Sequence, residues 1–495
     1  MLATREAALA DPQMADPPVT RSHTSLLLAL MTAAGACLRL WHLGTKSLWL
    51  DEGATVAIAR ASWRHFAWIW WHGEASLQTT YFLLMRGWIH LGNGEAWLRL
   101  PSALFGIASI PLLYVVARKF METAPALAAA ALLAFSPTHV YYSQEARSYT
   151  LAILMVLLST DFFVRAVERC QRRDWTLWML ISAVAFYCHD FTALVLVAQA
   201  CSLLFKPQPA RWRPLLIRGS IIFLVALPGL TYVFRASPEN LHFLWMPRPS
   251  FREFLHLAGF FGGNGVKLAV SGVLWIAGLV AIARSRRCDP DVFWRRMLIF
   301  LWAVLPALIL AAVSLLQPMF LQRYVIFSLP AMLLLAALGT EVLRKWKVGL
   351  VLVVLLCGMS LPAIVRSYHK PREDWRNASN TVLANAGSDD AVVFFPFYTR
   401  IMLDYYRDRY SGATPAVEVY APEFYGPGKD ARDLLKALNN DPHRFQRVWT
   451  VVDGRGINDD FAATQEKLQS IYGDPTVYKY ADVTVLEYAR RIPLH

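Results

Sequence analysis

Charge is what this sequence is short of. Of its 495 residues, 17% are Asp, Glu, Lys or Arg, where a soluble domain carries about a quarter. Cysteine is scarce as well. The six residues Cys37, Cys170, Cys188, Cys201, Cys288 and Cys357 lie in or near apolar runs without paired spacing. That pattern argues against a disulfide framework and a zinc cluster. The chain has no internal repeat, no P-loop and no glycine-rich dinucleotide turn, which argues against an ATP-driven pump. Residues 1–22 lack the short apolar core and small-residue cleavage site of a signal peptide and read as a disordered polar tail.

What the chain has instead is apolar length. It is 56% hydrophobic and 13% aromatic, with mean hydropathy +0.35, and its apolar runs recur at the roughly 17–25 residues that a bilayer crossing requires. The expected class is a polytopic α-helical membrane protein. The formal net charge of +13 is not a nucleic-acid footprint. Residues 367–495 hold 16 Lys+Arg against 18 Asp+Glu, so the excess belongs to the membrane part, where basic loops orient helices.

Eleven spans are expected, near 24–43, 100–118, 124–141, 148–165, 175–188, 190–205, 214–234, 266–284, 296–316, 324–342 and 347–366. The long segment 44–98 carries two amphipathic stretches, near 53–72 and 80–92. The second is too short to cross and is expected flat on the surface. With the amino terminus cytoplasmic, the basic clusters fall inside: Arg118–Lys119, Arg165 to Arg173, Lys206 to Arg218, Arg284 to Arg296 and Arg344 to Lys347. Counting 80–92 as a span would move them all outside, against the positive-inside rule. The outer segment 235–265, with Arg248 and Arg252, is a mild exception and reads as a long loop, which obeys the rule poorly. Residues 367–495 alternate strand patterns (392–397, 417–420, 448–452, 476–480, 483–488) with helical ones (374–386, 400–410, 430–439, 459–471). They read as an extracytoplasmic α/β domain. The expected division is a tail 1–22, a membrane domain 23–366 and this domain.

On that topology the polar oddities gather on the outer side. Asp51 and Glu52 follow the first span, in Ser47-Leu48-Trp49-Leu50-Asp51-Glu52-Gly53. The stretch from Tyr141 to Tyr149, with Glu145 and Arg147, joins the third and fourth spans. His189 and Asp190 join the fifth and sixth, and Gln322-Arg323-Tyr324 precedes the tenth. Ionisable groups beside the bilayer are expensive and usually functional. Taken singly, each has a structural reading: a helix-terminal acid pair, a surface ion pair, a cap or an interfacial anchor. Four loops contributing to one face are harder to explain that way. Carboxylates serve as general bases or cation ligands, and arginines hold phosphate in a bidentate manner. The set suits a lipid-phosphate sugar donor, whose departing phosphate needs positive charge.

These motifs resemble the GT-C glycosyltransferases, and more narrowly the bacterial glycosyltransferase family 39 type, related to protein O-mannosyltransferases and aminoarabinose transferases. The resemblance rests on Leu48 to Glu52, on Leu98-Arg99-Leu100-Pro101-Ser102-Ala103-Leu104-Phe105-Gly106, on Tyr142 to Tyr149 and on Gln322-Arg323-Tyr324. It extends to Lys370-Pro371-Arg372-Glu373-Asp374-Trp375-Arg376 at the start of the outer domain. It implies a bacterial inner-membrane enzyme with a periplasmic carboxy-terminal domain. That enzyme would transfer a sugar from a polyprenyl phosphate, with inversion, to a glycan, lipid or protein hydroxyl. Asp51 is implied as base with Glu52 beside it, Glu145 and Arg147 near the site, and Arg323 near the lipid phosphate. Tyr324, His189 and Asp190 complete the expected binding set. Related chains often carry an acid followed by Pro-Pro-Leu-Tyr-Tyr, where this one reads Gly73-Glu74-Ala75-Ser76-Leu77-Gln78-Thr79-Thr80-Tyr81. Glu52 and Glu74 are the candidate ligands for a divalent metal. The competing readings are a membrane transporter or lipid flippase, against which the chain shows no twofold hydropathy symmetry, and a catalytically silent glycan-binding relative.

Overall fold

The computed structural model describes residues 21–72, 78–207, 212–235, 250–343, 347–369, 372–424, 426 and 428–490. Glu74 and most of the amino-terminal tail lie outside these residues. The helices are α1 (Arg21–Leu40), α2 (Leu50–Arg60), α3 (Trp63–His72), α4 (Thr79–Trp88), α5 (Glu95–Ala117), α6 (Thr123–Ala134), α7 (Pro137–Ser143), α8 (Tyr149–Arg169), α9 (Arg172–Cys188), α10 (Ala193–Ser202), α11 (Trp212–Arg235), α12 (Phe251–Gly262), α13 (Val266–Cys288), α14 (Pro290–Leu316), α15 (Leu329–Val342) and α16 (Val348–His369). Eight helices among the described residues are long and apolar enough to cross a membrane, and α6 with α7 would make a ninth, bent by 54°. The shorter apolar helix Asp190–Phe205 and the 17-residue α9 occupy the remaining two expected passages.

The bend has a local cause. Proline at 137 has no N–H to offer the Leu133 carbonyl one turn back. The guanidinium of Arg39, fully buried at the end of α1, takes over. Its Nη2 donates to Leu133 O at 3.0 Å and lies 2.8 Å from His139 Nδ1, while its Nη1 donates to Ala134 O at 3.0 Å. An arginine from one span thus satisfies carbonyls that a broken span has released, as apolar surroundings require. Elsewhere the helices approach closely through glycine. A Cβ on Gly278 would lie 2.2 Å from the Leu335 carbonyl, and one on Gly339 would lie 2.2 Å from that of Leu274. Small residues on both faces let α13 and α15 pack backbone to backbone.

The basic loops meet at one end of the bundle. Lys119 pairs with Asp161 at 3.1 Å, Arg165 with Asp161 at 2.7 Å, Arg295 with Glu168 at 2.9 Å and Arg296 with Glu341 at 2.5 Å. The segment 44–98 lies at the opposite end. It holds three helices, not two. The stretch near 53–72 breaks where Ala61 turns extended and Ser62 starts α3, accepting from His65 N at 3.2 Å. Trp63, Trp68 and Trp71 of α3 are exposed. The outer segment 235–265, read from sequence as a loop, contains α12, whose Phe251 and Leu255 are exposed.

Beyond α16 the chain forms α17 (Trp375–Asn385), β1 (Ala391–Phe395), α18 (Arg400–Arg407), β2 (Glu418–Tyr420), α19 (Ala431–Asn440), β3 (Arg447–Asp453), α20 (Asp459–Tyr472), β4 (Thr476–Tyr480) and β5 (Val483–Ala489). The five-stranded sheet has the order β2-β1-β3-β5-β4. Its β1 is parallel to β2 and β3, with Val393 opposite Thr450, and β5 is antiparallel to β3 and β4. Strand alternation gives the sheet two apolar faces. One, with Val393, Phe395 and Val448, packs on Leu434, Leu438 and Leu468 of α19 and α20. The other, with Val392, Phe394, Trp449 and Val485, joins Met402 and Tyr406 of α18 in a cluster that continues into Leu48, Leu50, Val56 and Tyr81. The sheet domain and the loop after the first span therefore share one core.

Candidate active site

The loop after α1 turns into α2 at Leu50, so the two acids fall in the first helical turn, where the positive end of the helix dipole favours them. Successive residues in a helix point in different directions, and here they part. Glu52 is fully buried. Its two carboxylate oxygens accept from Arg99 Nε at 2.8 Å and Arg99 Nη2 at 2.7 Å. The same oxygens accept from Ala146 N at 2.7 Å and, reaching back over the helix start, from Trp49 N at 3.3 Å. The remaining donors of Arg99 go to the carbonyls of Leu43, Lys46 and Ser47 at 2.9–3.1 Å. One buried ion pair thus binds α2, α5, the 43–47 turn and the 144–148 loop together.

Asp51 faces outward, its side chain 25% exposed. Its Oδ2 lies 3.9 Å from Arg147 Nη2 and 3.7 Å from Arg323 Nη1. Both arginines are mostly buried. Arg147 is fixed by donating to the Asp51 carbonyl and the Thr55 hydroxyl, each at 3.2 Å. Arg323 comes from the turn before α15 and sits beside the rings of Trp49 and Tyr324. Its buried Nε has no hydrogen-bond partner among the described residues. A third guanidinium, that of Arg372, stacks on the Trp49 ring at 3.6 Å and lies 3.7 Å from Glu145 Oε1. Glu145 is buried, and its Oε2 is unpartnered among the described residues. Burial and the negative charge of Glu52 push its carboxyl up to about 7, against the pull of Arg372.

His189 and Asp190 stand behind this group. His189 Nδ1 lies 3.1 Å from Asp190 Oδ1, and the imidazole packs within about 6 Å of Tyr149, Tyr324 and Phe327. The structure therefore brings Asp51, Arg147, Arg323, Tyr324 and Glu145 together. It places Glu52 beneath them and His189 with Asp190 one layer away, against Tyr324.

Sequence reasoning assigned no role to three contributors. Arg99 and Arg372 both lie inside recognised motifs, so a signal was present, but nothing in the motifs says which residue each one meets. Glu373 is the third. Its Oε2 accepts from Leu50 N at 2.9 Å and from Trp375 Nε1 at 2.6 Å, and its Oε1 accepts from Arg455 Nη2 at 3.0 Å. The segment leading into the sheet domain thus caps the helix that carries Asp51. Tyr406 of α18 adds a second grip, accepting from Leu48 N at 2.9 Å, and Arg376 a third, donating to the Thr45 carbonyl at 3.1 Å.

This donor set does not fit a divalent cation. Both oxygens of Glu52 are engaged by Arg99 and backbone N–H groups, and Asp51 faces two guanidinium groups. No three His, Cys, Asp or Glu side chains converge among the described residues. Glu74 lies outside them.

Residues 80–234 match the family model of the dolichyl-phosphate-mannose-protein mannosyltransferases. Two crystal structures of ArnT from Cupriavidus metallidurans superpose on the chain. The apo form has TM-score 0.63, and the form bound to undecaprenyl phosphate has 0.61. Each is 14% identical and covers 94% of this chain and 98% of its own. The fold is that of the GT-C glycosyltransferases. The oligosaccharyltransferase AglB from Archaeoglobus fulgidus, in complex with an inhibitory peptide and a dolichol-phosphate, shares the GT-C fold at TM-score 0.53 and 13% identity, covering 97% of this chain and 76% of its own. No curated protein matches the sequence.

Proposed function

We propose that this GT-C chain is an inverting glycosyltransferase that moves a sugar from a polyprenyl phosphate to an acceptor hydroxyl at the outer face of a bacterial inner membrane. The observation that carries the reading is Asp51, a partly exposed carboxylate held between two guanidinium groups at distances too long for hydrogen bonds. Burial and Glu52 favour the protonated form of Glu145, and Arg147, Arg323 and Arg372 outweigh Asp51 in charge. Such a site is short of one anion. A lipid phosphate supplies it, and the free Nε of Arg323 gives that phosphate a donor. The solved relatives bound to undecaprenyl phosphate and to a dolichol-phosphate support this choice of ligand.

The chemistry follows from the swap. Phosphate drawn to Arg323 releases Asp51 from its counter-ions, and the freed carboxylate accepts the proton of the acceptor hydroxyl. The acceptor oxygen forms a bond to the anomeric carbon from the face opposite the phosphate. The bond from that carbon to the phosphate oxygen breaks, its electron pair leaving with the lipid phosphate, whose charge the arginines neutralise. One displacement inverts the configuration. Glu52 is assigned to holding α2, not to the chemistry, because Arg99 covers both its oxygens.

The basic ends of the helices, opposite Asp51, support a cytoplasmic amino terminus and an extracytoplasmic sheet domain. The test is transfer by the purified chain in lipid, with a panel of radiolabelled polyprenyl-phosphate sugars and an envelope acceptor fraction. Label should leave the lipid with wild-type protein and stay with Asp51→Asn. Wild-type turnover by Asp51→Asn would remove Asp51 from the role. Counterflow in vesicles without covalent product would favour the transporter reading.

A further inference from the structure

Lys267 occupies the first turn of α13, directly after Val266, which is 71% exposed. Its side chain does not stand alone on the surface. It lines a cavity of about 30 Å³ whose wall includes Ser136 at the α6–α7 bend, Ser271 and Trp275 of α13, and Cys357 and Ser360 of α16. Cys357 and Ser360 lie near the middle of α16, well short of its end at His369. Thr138 Oγ1 donates to Phe260 O at 2.6 Å, which fixes the end of α12 at the level of the bend. The half-buried Lys267 side chain therefore borders a pocket inside the span, in the half nearer Asp51.

The described residues supply it no partner. Among the described residues Lys267 makes no hydrogen bond and no ion pair, and no Asp or Glu lines the cavity. The neighbouring donors are already spent. The Ser271 and Ser360 hydroxyls donate to Gly262 O at 2.9 Å and Leu356 O at 2.6 Å, and Trp275 Nε1 donates to Met332 O at 3.1 Å. The lysine stem lies against Gly263, where a Cβ would come within 2.5 Å of Lys267 Cδ. A lysine near a helix end ordinarily reaches outward to the headgroup layer. This one lines a cavity walled by mid-span residues, and a cation at that depth requires a counter-charge.

We propose that Lys267 binds the phosphate of a membrane lipid, at a site separate from the one around Asp51. The cavity accommodates the equivalent of roughly two waters, enough for phosphate oxygens at the ammonium. The acyl chains would then lie outside it on the lipid-facing ridge of Val273 and Ile276, which are 49% and 65% exposed. Basic pockets between spans take lipid headgroups in this way. The site does not depend on the transfer reaction.

The test is native mass spectrometry of the full-length chain, delipidated in neutral detergent and titrated with phosphatidylglycerol. Wild-type protein should hold one phosphatidylglycerol about tenfold more tightly than Lys267→Met. Lys267→Arg should retain it, and diacylglycerol should not distinguish the three proteins. Ser360→Leu, which fills the cavity and leaves the lysine in place, should lose the same lipid and covers the case in which Lys267→Met does not fold. Equal phosphatidylglycerol affinity in wild type and in whichever of these two variants folds would overturn the proposal. Displacement by inorganic phosphate at the lipid's own concentration would show that the site takes a free anion and overturn the lipid assignment.

Discussion

Two adjacent acids in this chain have opposite environments, and single substitutions should tell them apart. Removing either member of the Glu52–Arg99 pair leaves the other as a buried, unmatched charge, which costs about 3–5 kcal/mol. Glu52→Ala and Arg99→Ala should each lower the unfolding temperature sharply. The double change Glu52→Leu with Arg99→Met should recover part of that loss, read by thermal unfolding in detergent. Asp51 is partly exposed and its ion pairs are long, so Asp51→Asn should leave stability within about 1 kcal/mol while removing transfer. A common stability loss for Asp51 and Glu52 variants would contradict this division. Glu145 makes a pH prediction. Its folded carboxyl is raised from 4.5 to about 7, so the folded state holds the proton more tightly than the unfolded chain does. Its contribution is fully present below pH 4.5 and is lost as pH rises through 7, on the order of 3 kcal/mol in all. Glu145→Gln should flatten that part of the stability profile, measured as unfolding temperature between pH 4.5 and 8.

At the scale of elements, α2 is held by parts of the chain far from it in sequence. Glu373→Leu removes the acceptor for Leu50 N and Trp375 Nε1 together. Two buried donors lose their partner, at about 1–3 kcal/mol each. Because Leu50 precedes Asp51, transfer should fall further than donor binding, a split visible by measuring kcat and KM separately. Glu373→Gln keeps an acceptor oxygen and should rescue much of the loss. Gly53 makes a related point. A Cβ there would lie 2.3 Å from Met402 Sδ, so α18 approaches α2 over a glycine. Gly53→Val should displace α18 and loosen the grip of Tyr406 on Leu48, seen as faster proteolysis in residues 44–60.

At the scale of the molecule, the sheet domain is not an appendage. Trp375, Ile401, Met402, Tyr405 and Tyr406 pack in the cluster that contains Leu48, Leu50, Val56 and Tyr81. A chain ending at His369 should insert its helices yet lose both transfer and order around Asp51. Protease sensitivity of residues 44–60 in the truncated protein is the measurement. Resistance equal to that of the full chain would show that the membrane helices hold the loop by themselves.

Much of this was readable in the sequence. The spans follow from apolar runs of bilayer length, a property of contiguous residues. The sheet domain follows from its strand and helix periods. Asp51, Glu145, Arg147 and Arg323 stood out because charge beside a bilayer is costly and therefore sparse, so the few exceptions mark themselves. Tertiary structure alone decided the rest. Whether Asp51 or Glu52 meets solvent depends on where Arg99 arrives, 47 residues later. The capping of Leu50 by Glu373 spans more than 300 residues, and the pocket that Lys267 lines is built by several helices together. Helix period and hydropathy are local quantities. Which buried charge finds a partner is settled only when distant segments close on one another, because the cost of desolvation depends on everything within a few ångströms and on nothing in the sequence order.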